Sequence, residues 1–181
     1  MPETPGRGAI LLAIAREAIE REAAPDANTA WEHEWLRQPG ASFVTLRIDR
    51  ELRGCIGSVE ARRLLGDDVA HNARAAAYRD PRFPPVSREE SVRLQVEVSV
   101  LSRREPMRVQ SEAQAAAALR PGMDGVFLEF HDLAATFLPQ VWEGLPEPLE
   151  FLGELRRKAG LPPRFWHPDV RLSRYTVEKF A

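Results

Sequence analysis

Residues 42–58 read Ser42-Phe43-Val44-Thr45-Leu46-Arg47-Ile48-Asp49-Arg50-Glu51-Leu52-Arg53-Gly54-Cys55-Ile56-Gly57-Ser58, two alternating runs on either side of a short polar break. Val44, Leu46 and Ile48 alternate with Phe43, Thr45 and Arg47, the period of a half-buried strand. Asp49-Arg50-Glu51 reads as a three-residue loop. That loop pairs Ile48 with Leu52, Leu46 with Gly54 and Val44 with Ile56, so every aliphatic side chain falls on one face of a hairpin. A two-residue loop would slip the register by one and mix the faces. The opposite face then carries Arg47 beside Arg53, and Thr45 beside Cys55.

Within this hairpin the only cysteine of the chain stands close to two glycines, Gly54 and Gly57, and two residues after Arg53. Glycine in a strand costs entropy and packs nothing, so the pair implies that another backbone or a ligand comes close. A cation beside a thiol favours the reactive thiolate, which makes Cys55 a candidate nucleophile with Arg53 as its activator. The competing reading is a small buried hydrophobe under a helix.

Outward from the hairpin, residues 7–23 place Ile10, Leu11, Ile14, Ala18 and Ile19 at helical spacing. Residues 24–41 are irregular and hold Trp31 and Trp35. A second helix is predicted from Leu64 to Tyr78, opened by Asp67 and Asp68 at its positive end and rich in alanine, so that it can lie close against the hairpin glycines. Asp80 to Pro85 holds three prolines and forms a rigid connection. Residues 93–101 alternate as a strand, 111–119 are helical, and 126–138 form two strands around His131-Asp132. A helix over 147–159 stops at Gly160 and Pro162, and 170–180 reads as one closing strand. Strands joined by short loops, mixed with separate helices, indicate an α+β fold with mainly antiparallel pairing.

The LRGCIG run from Leu52, the later Asp80-Pro81-Arg82-Phe83-Pro84-Pro85 and Thr136-Phe137-Leu138-Pro139-Gln140-Val141 together resemble the AMMECR1 family. The likeness extends through Glu97 to Leu101, Phe151-Leu152 and Lys158-Ala159-Gly160-Leu161. It implies a mainly antiparallel sheet flanked by helices, in two unequal lobes with a cleft between them and the cysteine segment beside it. Prokaryotic members resemble the A component of the AmmeMemoRadiSam system, which implies a MEMO-like protein and a radical SAM protein as partners. The family supplies no settled activity. Residues 1–181 are expected to be a single such domain, built as one body or as two closely packed lobes, with any boundary in 102–125.

On this reading Cys55 and Glu97 are the catalytic candidates, and Arg53, Gly54, Gly57, Asp80 and Arg82 the ligand-binding ones. Glu97 lies mid-strand among valines, where a covered carboxylate needs a partner; Arg53 is the expected one, in either a structural pair or an acid–base role beside Cys55. Phe83 is expected to anchor its loop to the core. Arg82 either contacts an anion or pairs with Asp80 or a backbone carbonyl. Thr136, Gln140 and Lys158 belong to further family motifs, with Gln140 expected to satisfy backbone groups after Pro139.

The remaining composition narrows the classes. At 181 residues the chain can bury about 70% of its unfolded surface without staples. One cysteine excludes an intramolecular disulfide and suits a reducing compartment. The start, Met1-Pro2-Glu3-Thr4-Pro5, has no basic segment followed by an apolar one, and no run nears the length of a membrane span, so a cytoplasmic protein without membrane contact is expected. Net charge is −2, giving no global attraction to nucleic acid, although arginine supplies 23 of the 25 basic residues. The four histidines share no ligand spacing, and no phosphate loop or dinucleotide fingerprint is present, so neither metal nor cofactor is expected. Two readings remain: an accessory or substrate-handling component acting at Arg53 and Cys55, or a non-catalytic module recognising a protein or RNA partner.

Overall fold

The computed structural model describes residues 6–21 and 31–181. The chain is α+β, with two antiparallel sheets flanked by helices, and it divides into two compact units: Met1–Leu101 with Glu178–Ala181, and Ser102–Val177. No helix among the described residues is long and apolar enough to cross a membrane. The end of the expected opening helix, the Met1 to Pro5 segment and most of the irregular stretch before Trp31 lie outside the described residues.

In the first unit, α1 (Arg7–Glu20) and α2 (Leu65–Tyr78) cover one face of a sheet ordered β2 (Glu51–Gly57), β1 (Pro39–Ile48), β4 (Gln95–Leu101), β9 (Val177–Phe180), with the short β3 (Arg63–Leu64) also beside β1. Val44, Leu46, Val96 and Val98 point from the sheet into the same buried cluster as Leu11, Ala15, Val69, Ala73 and Ala76 from the helices. Small alanines on α2 bring its backbone close to the sheet. A one-turn helix, α3 (Arg88–Ser91), precedes β4 and is opened by a capping box in which Ser87 and Glu90 bond each other's backbone amides.

The hairpin keeps the expected register but reaches it differently. Val44 pairs with Ile56, Thr45 with Cys55 and Leu46 with Gly54, as the hydrophobic pattern requires. The loop, however, is the two residues Asp49 and Arg50, both at positive φ (52° and 71°), so Ile48 faces Glu51 and Arg47 faces Leu52. Two positive-φ residues form the turn whose twist matches that of the strands. A β-bulge at Arg53 then inserts one extra residue and restores the faces. The expected Arg47–Arg53 pairing is absent for the same reason.

The second unit holds β5 (Glu105–Pro106), α4 (Glu112–Ala118), β6 (Gly125–Phe130), β7 (Leu133–Phe137), α5 (Pro148–Lys158) and β8 (Arg171–Tyr175), with strand order β5-β8-β6-β7. Trp142 stacks on Phe151 at 3.8 Å between ring centres and donates its indole N–H to the Asp124 carbonyl. Gly160 at φ 85° ends α5 where its sequence signals placed the stop. The single closing strand expected over 170–180 is two strands in different sheets. Thr176 separates them, its carbonyl accepting from the Ser102 amide and its amide donating to the Ser102 hydroxyl, both at 2.9 Å.

Candidate functional site

The strand alternation that buries Val44, Leu46 and Val98 under the helices turns their neighbours to the other face of the first sheet. There Cys55, Thr45 and Glu97 occupy one cross-strand row on β2, β1 and β4. The Cys55 sulfur lies 3.3 Å from the Thr45 hydroxyl oxygen, the close approach of a pair that exchanges no backbone hydrogen bonds. Cys55 and Glu97 are half-buried, Thr45 is buried, and Glu97 makes no hydrogen bond or ion pair among the described residues. Two strand spacings separate Cys55 from Glu97, about 10 Å. Thr45 stands between them, and among the described residues no hydrogen bond joins the thiol to the carboxylate. His71, the histidine nearest in sequence, sits on α2 and so belongs to the helix layer on the opposite face.

Because β2 is an edge strand, the amide and carbonyl of Cys55 point away from β1 and need partners from elsewhere. Asp80 and Arg82 supply them. The Cys55 amide donates to the Asp80 carboxylate at 2.9 Å, and the Arg82 guanidinium donates to the Cys55 carbonyl at 3.0 Å. Asp80 and Arg82 also pair with each other through two side-chain hydrogen bonds of 2.9 and 2.6 Å. That Arg82 pairing, reinforced by the backbone amides of Cys55 and Arg82, holds the Asp80 carboxyl well below the usual carboxylate range despite its burial. Both candidate ligand residues are thus engaged in latching the proline-rich connection onto the sheet edge.

Arg53 does not pair with Glu97. The bulge aims it at Glu90, where Nε and Nη2 form a bidentate bridge at 2.8 and 3.0 Å, and Nη2 also reaches the Pro85 carbonyl. Glu90 is lowered to about 2, first by Arg53 and then by the Ser87 amide. The cation expected to activate Cys55 is spent on the α3 capping box instead. Phe83 likewise belongs to neither buried cluster; it is half-buried, with the guanidinium groups of Arg53 and Arg82 5.9 and 5.5 Å from its ring centre.

The glycines of the motif have separate occupants. A Cβ on Gly54 would stand 2.1 Å from the Ala76 carbonyl oxygen, so Gly54 lets α2 close on the hairpin as the alanines of that helix foretold. Gly57 faces the other way. Its missing side chain is replaced by the ring of its cross-strand partner Phe43, 2.2 Å from where a Cβ would sit.

The sequence profile of the AMMECR1 family matches residues 12–180. The chain belongs to the AMMECR1 family. It is 39% identical over 186 residues to a protein of Methanothermobacter thermautotrophicus, covering 99% of this chain and 96% of the relative, and 35% identical to one of Thermofilum pendens, covering 96% and 89%. A solved structure similar to it is that of an uncharacterised protein from Pyrococcus horikoshii, with a TM-score of 0.78 and 33% identity over 95% of this chain and 89% of that one.

Beside the row, this AMMECR1 chain carries a buried polar centre that its sequence pattern did not reveal. Asp68, fully buried in the first turn of α2, accepts from the Ser42 amide and hydroxyl and the Ser58 hydroxyl at 2.8 Å, and from Asn72 at 2.9 Å. It ties the start of α2 to both strands of the hairpin. Of the other family positions, Thr136 shares a 2.7 Å hydrogen bond with Tyr175, whose burial raises its pKa, and Lys158 donates to the Thr136 carbonyl. Gln140 departs from expectation: it is exposed and makes no hydrogen bond among the described residues. Among the described residues no group of three His, Cys, Asp or Glu side chains is placed to hold a metal ion.

Proposed function

We propose that this AMMECR1 protein is an accessory, substrate-handling component that works with a MEMO-like protein and a radical SAM protein, holding a small polar substrate rather than transforming it alone. The observation that carries this reading is the row itself: a half-buried thiol, a hydroxyl and a carboxylate that has no hydrogen-bond or ion-pair partner among the described residues, side by side on one sheet face, the outer two on strands about 10 Å apart. A row spanning three strands suits gripping two ends of one ligand. The latch on the Cys55 backbone supports it further, since a fixed strand edge holds the thiol in one position. Arg53, Gly54, Gly57, Asp80 and Arg82 then act as supports that shape the row.

Co-purification of the tagged protein with the MEMO-like and radical SAM proteins, with metabolite profiles of a deletion strain and a Cys55→Ala strain, tests the proposal. Both partners should co-purify, and both strains should accumulate the same compound. A Cys55→Ala profile equal to wild type beside an altered deletion profile would make the thiol structural. Co-purification of RNA with unchanged metabolites would favour the recognition module.

A further inference from the structure

The second unit has an open groove of about 510 Å³ along α5, room enough for one or two side chains of a partner. Its apolar part is Leu145, Leu149 and Pro163. Leu145 packs against the buried cluster of this unit, whereas Leu149 joins neither buried cluster and is 55% exposed. Helix propensity does not ask for leucine there, since glutamate, glutamine or lysine serves an exposed turn about as well. A lone exposed leucine is ordinary, but one that lines an apolar concavity marks a contact surface.

The charges around these leucines are one-sided. Glu143, Glu147 and Glu150 each stand within two residues of Leu145 or Leu149, all are exposed, and none of their carboxylates has a hydrogen-bond or ion-pair partner among the described residues. Glu112 and Glu154 also line the groove, but Arg156 and Arg157 pair with them, and Arg156 is sealed at 2% exposure. Arg164, exposed, is the remaining cation of the lining. Three unpaired carboxylates thus stand against one guanidinium. The positive end of α5 offsets about half an elementary charge, less than Glu147 and Glu150 carry between them.

We infer that this groove docks a basic segment of another protein, with an aliphatic side chain set among Leu145, Leu149 and Pro163 and flanking arginines or lysines against Glu143, Glu147 and Glu150. Charge complementarity selects that partner. The same carboxylates repel the phosphates of nucleic acid and of an anionic membrane surface, and a polyamine would leave the leucines uncovered. The groove belongs to the second unit alone, so the inference stands or falls independently of the Cys55 row.

Fluorescence anisotropy of the full chain with a labelled peptide of leucines flanked by arginines tests it, beside one control peptide with serine for leucine and another with glutamate for arginine. The first peptide should bind saturably and more weakly as salt rises, and each control should bind about tenfold more weakly. Leu149→Ser should lower the affinity about fivefold at an unchanged melting temperature, because this side chain belongs to no core. Glu147→Gln with Glu150→Gln should weaken the peptide, whereas Glu51→Gln with Glu89→Gln, the same charge change at exposed positions of the first unit, should not. No saturable binding, equal binding of the serine control, displacement of the peptide by equimolar spermine, undiminished binding by Leu149→Ser, or equal weakening by the two glutamine pairs would each overturn the inference.

Discussion

Asp80 accepts the Cys55 amide proton at 2.9 Å, so a loop carboxylate does for the sheet edge what a neighbouring strand would otherwise do. Asp80 comes from the connection after α2, Cys55 from the edge strand, and Arg82 closes the arrangement by bonding both. The family motif around Asp80 thereby acquires a physical role: it removes the free hydrogen-bonding edge beside the thiol and fixes where the thiol stands.

Asp80→Ala should destabilise the fold by about 1–3 kcal/mol, because it leaves the Cys55 amide without its acceptor and Arg82 without its partner. Asp80→Asn, which keeps one acceptor oxygen, should cost less. Urea unfolding of the three proteins gives the comparison, and equal midpoints would remove the latch.

Glu90 sets a pH dependence of known sign. Its folded value, about 2, lies below the ordinary 4.5, so the Arg53 bridge contributes its full stability above pH 4.5 and loses it as pH falls through about 2. Asp80, shifted in the same direction, adds to the same acid loss. Glu90→Gln should therefore be less stable than wild type at pH 7 and show a flatter stability curve between pH 4.5 and 2. Denaturant titrations across that range measure both.

Gly54→Ala should lower stability by about 1–3 kcal/mol, since its Cβ would overlap a helix carbonyl that cannot move alone. In a chain of this size that is a fall of several degrees in melting temperature. Gly57→Ala should cost less, because the atom it meets belongs to the half-buried, rotatable Phe43 ring.

Asp68→Ala should cost about 3 kcal/mol or more, by leaving the fully buried Ser42 amide and hydroxyl without their acceptor and removing the bonds from Ser58 and Asn72. Thermal unfolding of Asp68→Ala beside Asp67→Ala isolates the effect, since the Asp67 carboxylate accepts from the half-buried Trp31 indole and from no other group among the described residues.

What was legible in the sequence was whatever hydrophobic alternation controls. Val44, Leu46, Ile56 and Val98 settled the faces and the antiparallel register, and the alanines of α2 with Gly54 announced a close helix. The turn was misread because alternation alone cannot separate a three-residue loop from a two-residue turn followed by a bulge; both return Leu46 to Gly54. That bulge also misdirected the reading of Arg53, which alternation places beside Cys55 and the structure sends to Glu90. The signal for Glu90 was present in Ser87-Arg88-Glu89-Glu90, a capping-box spacing. Asp68 was visible as an acidic helix start, but its partners Ser42, Ser58 and Asn72 converge only through folding. The break at Thr176 had no local marker, since residues on both sides continue to favour strand.

The most direct test of the central claim, that Cys55 presents its thiol on an accessible polar row, is mass spectrometry of the folded protein after mild iodoacetamide treatment across a pH series. The account predicts alkylation of Cys55 without denaturant, at a rate that rises with pH and falls when Glu97 or Thr45 is replaced by a larger side chain. Labelling that occurs only after denaturation would contradict it.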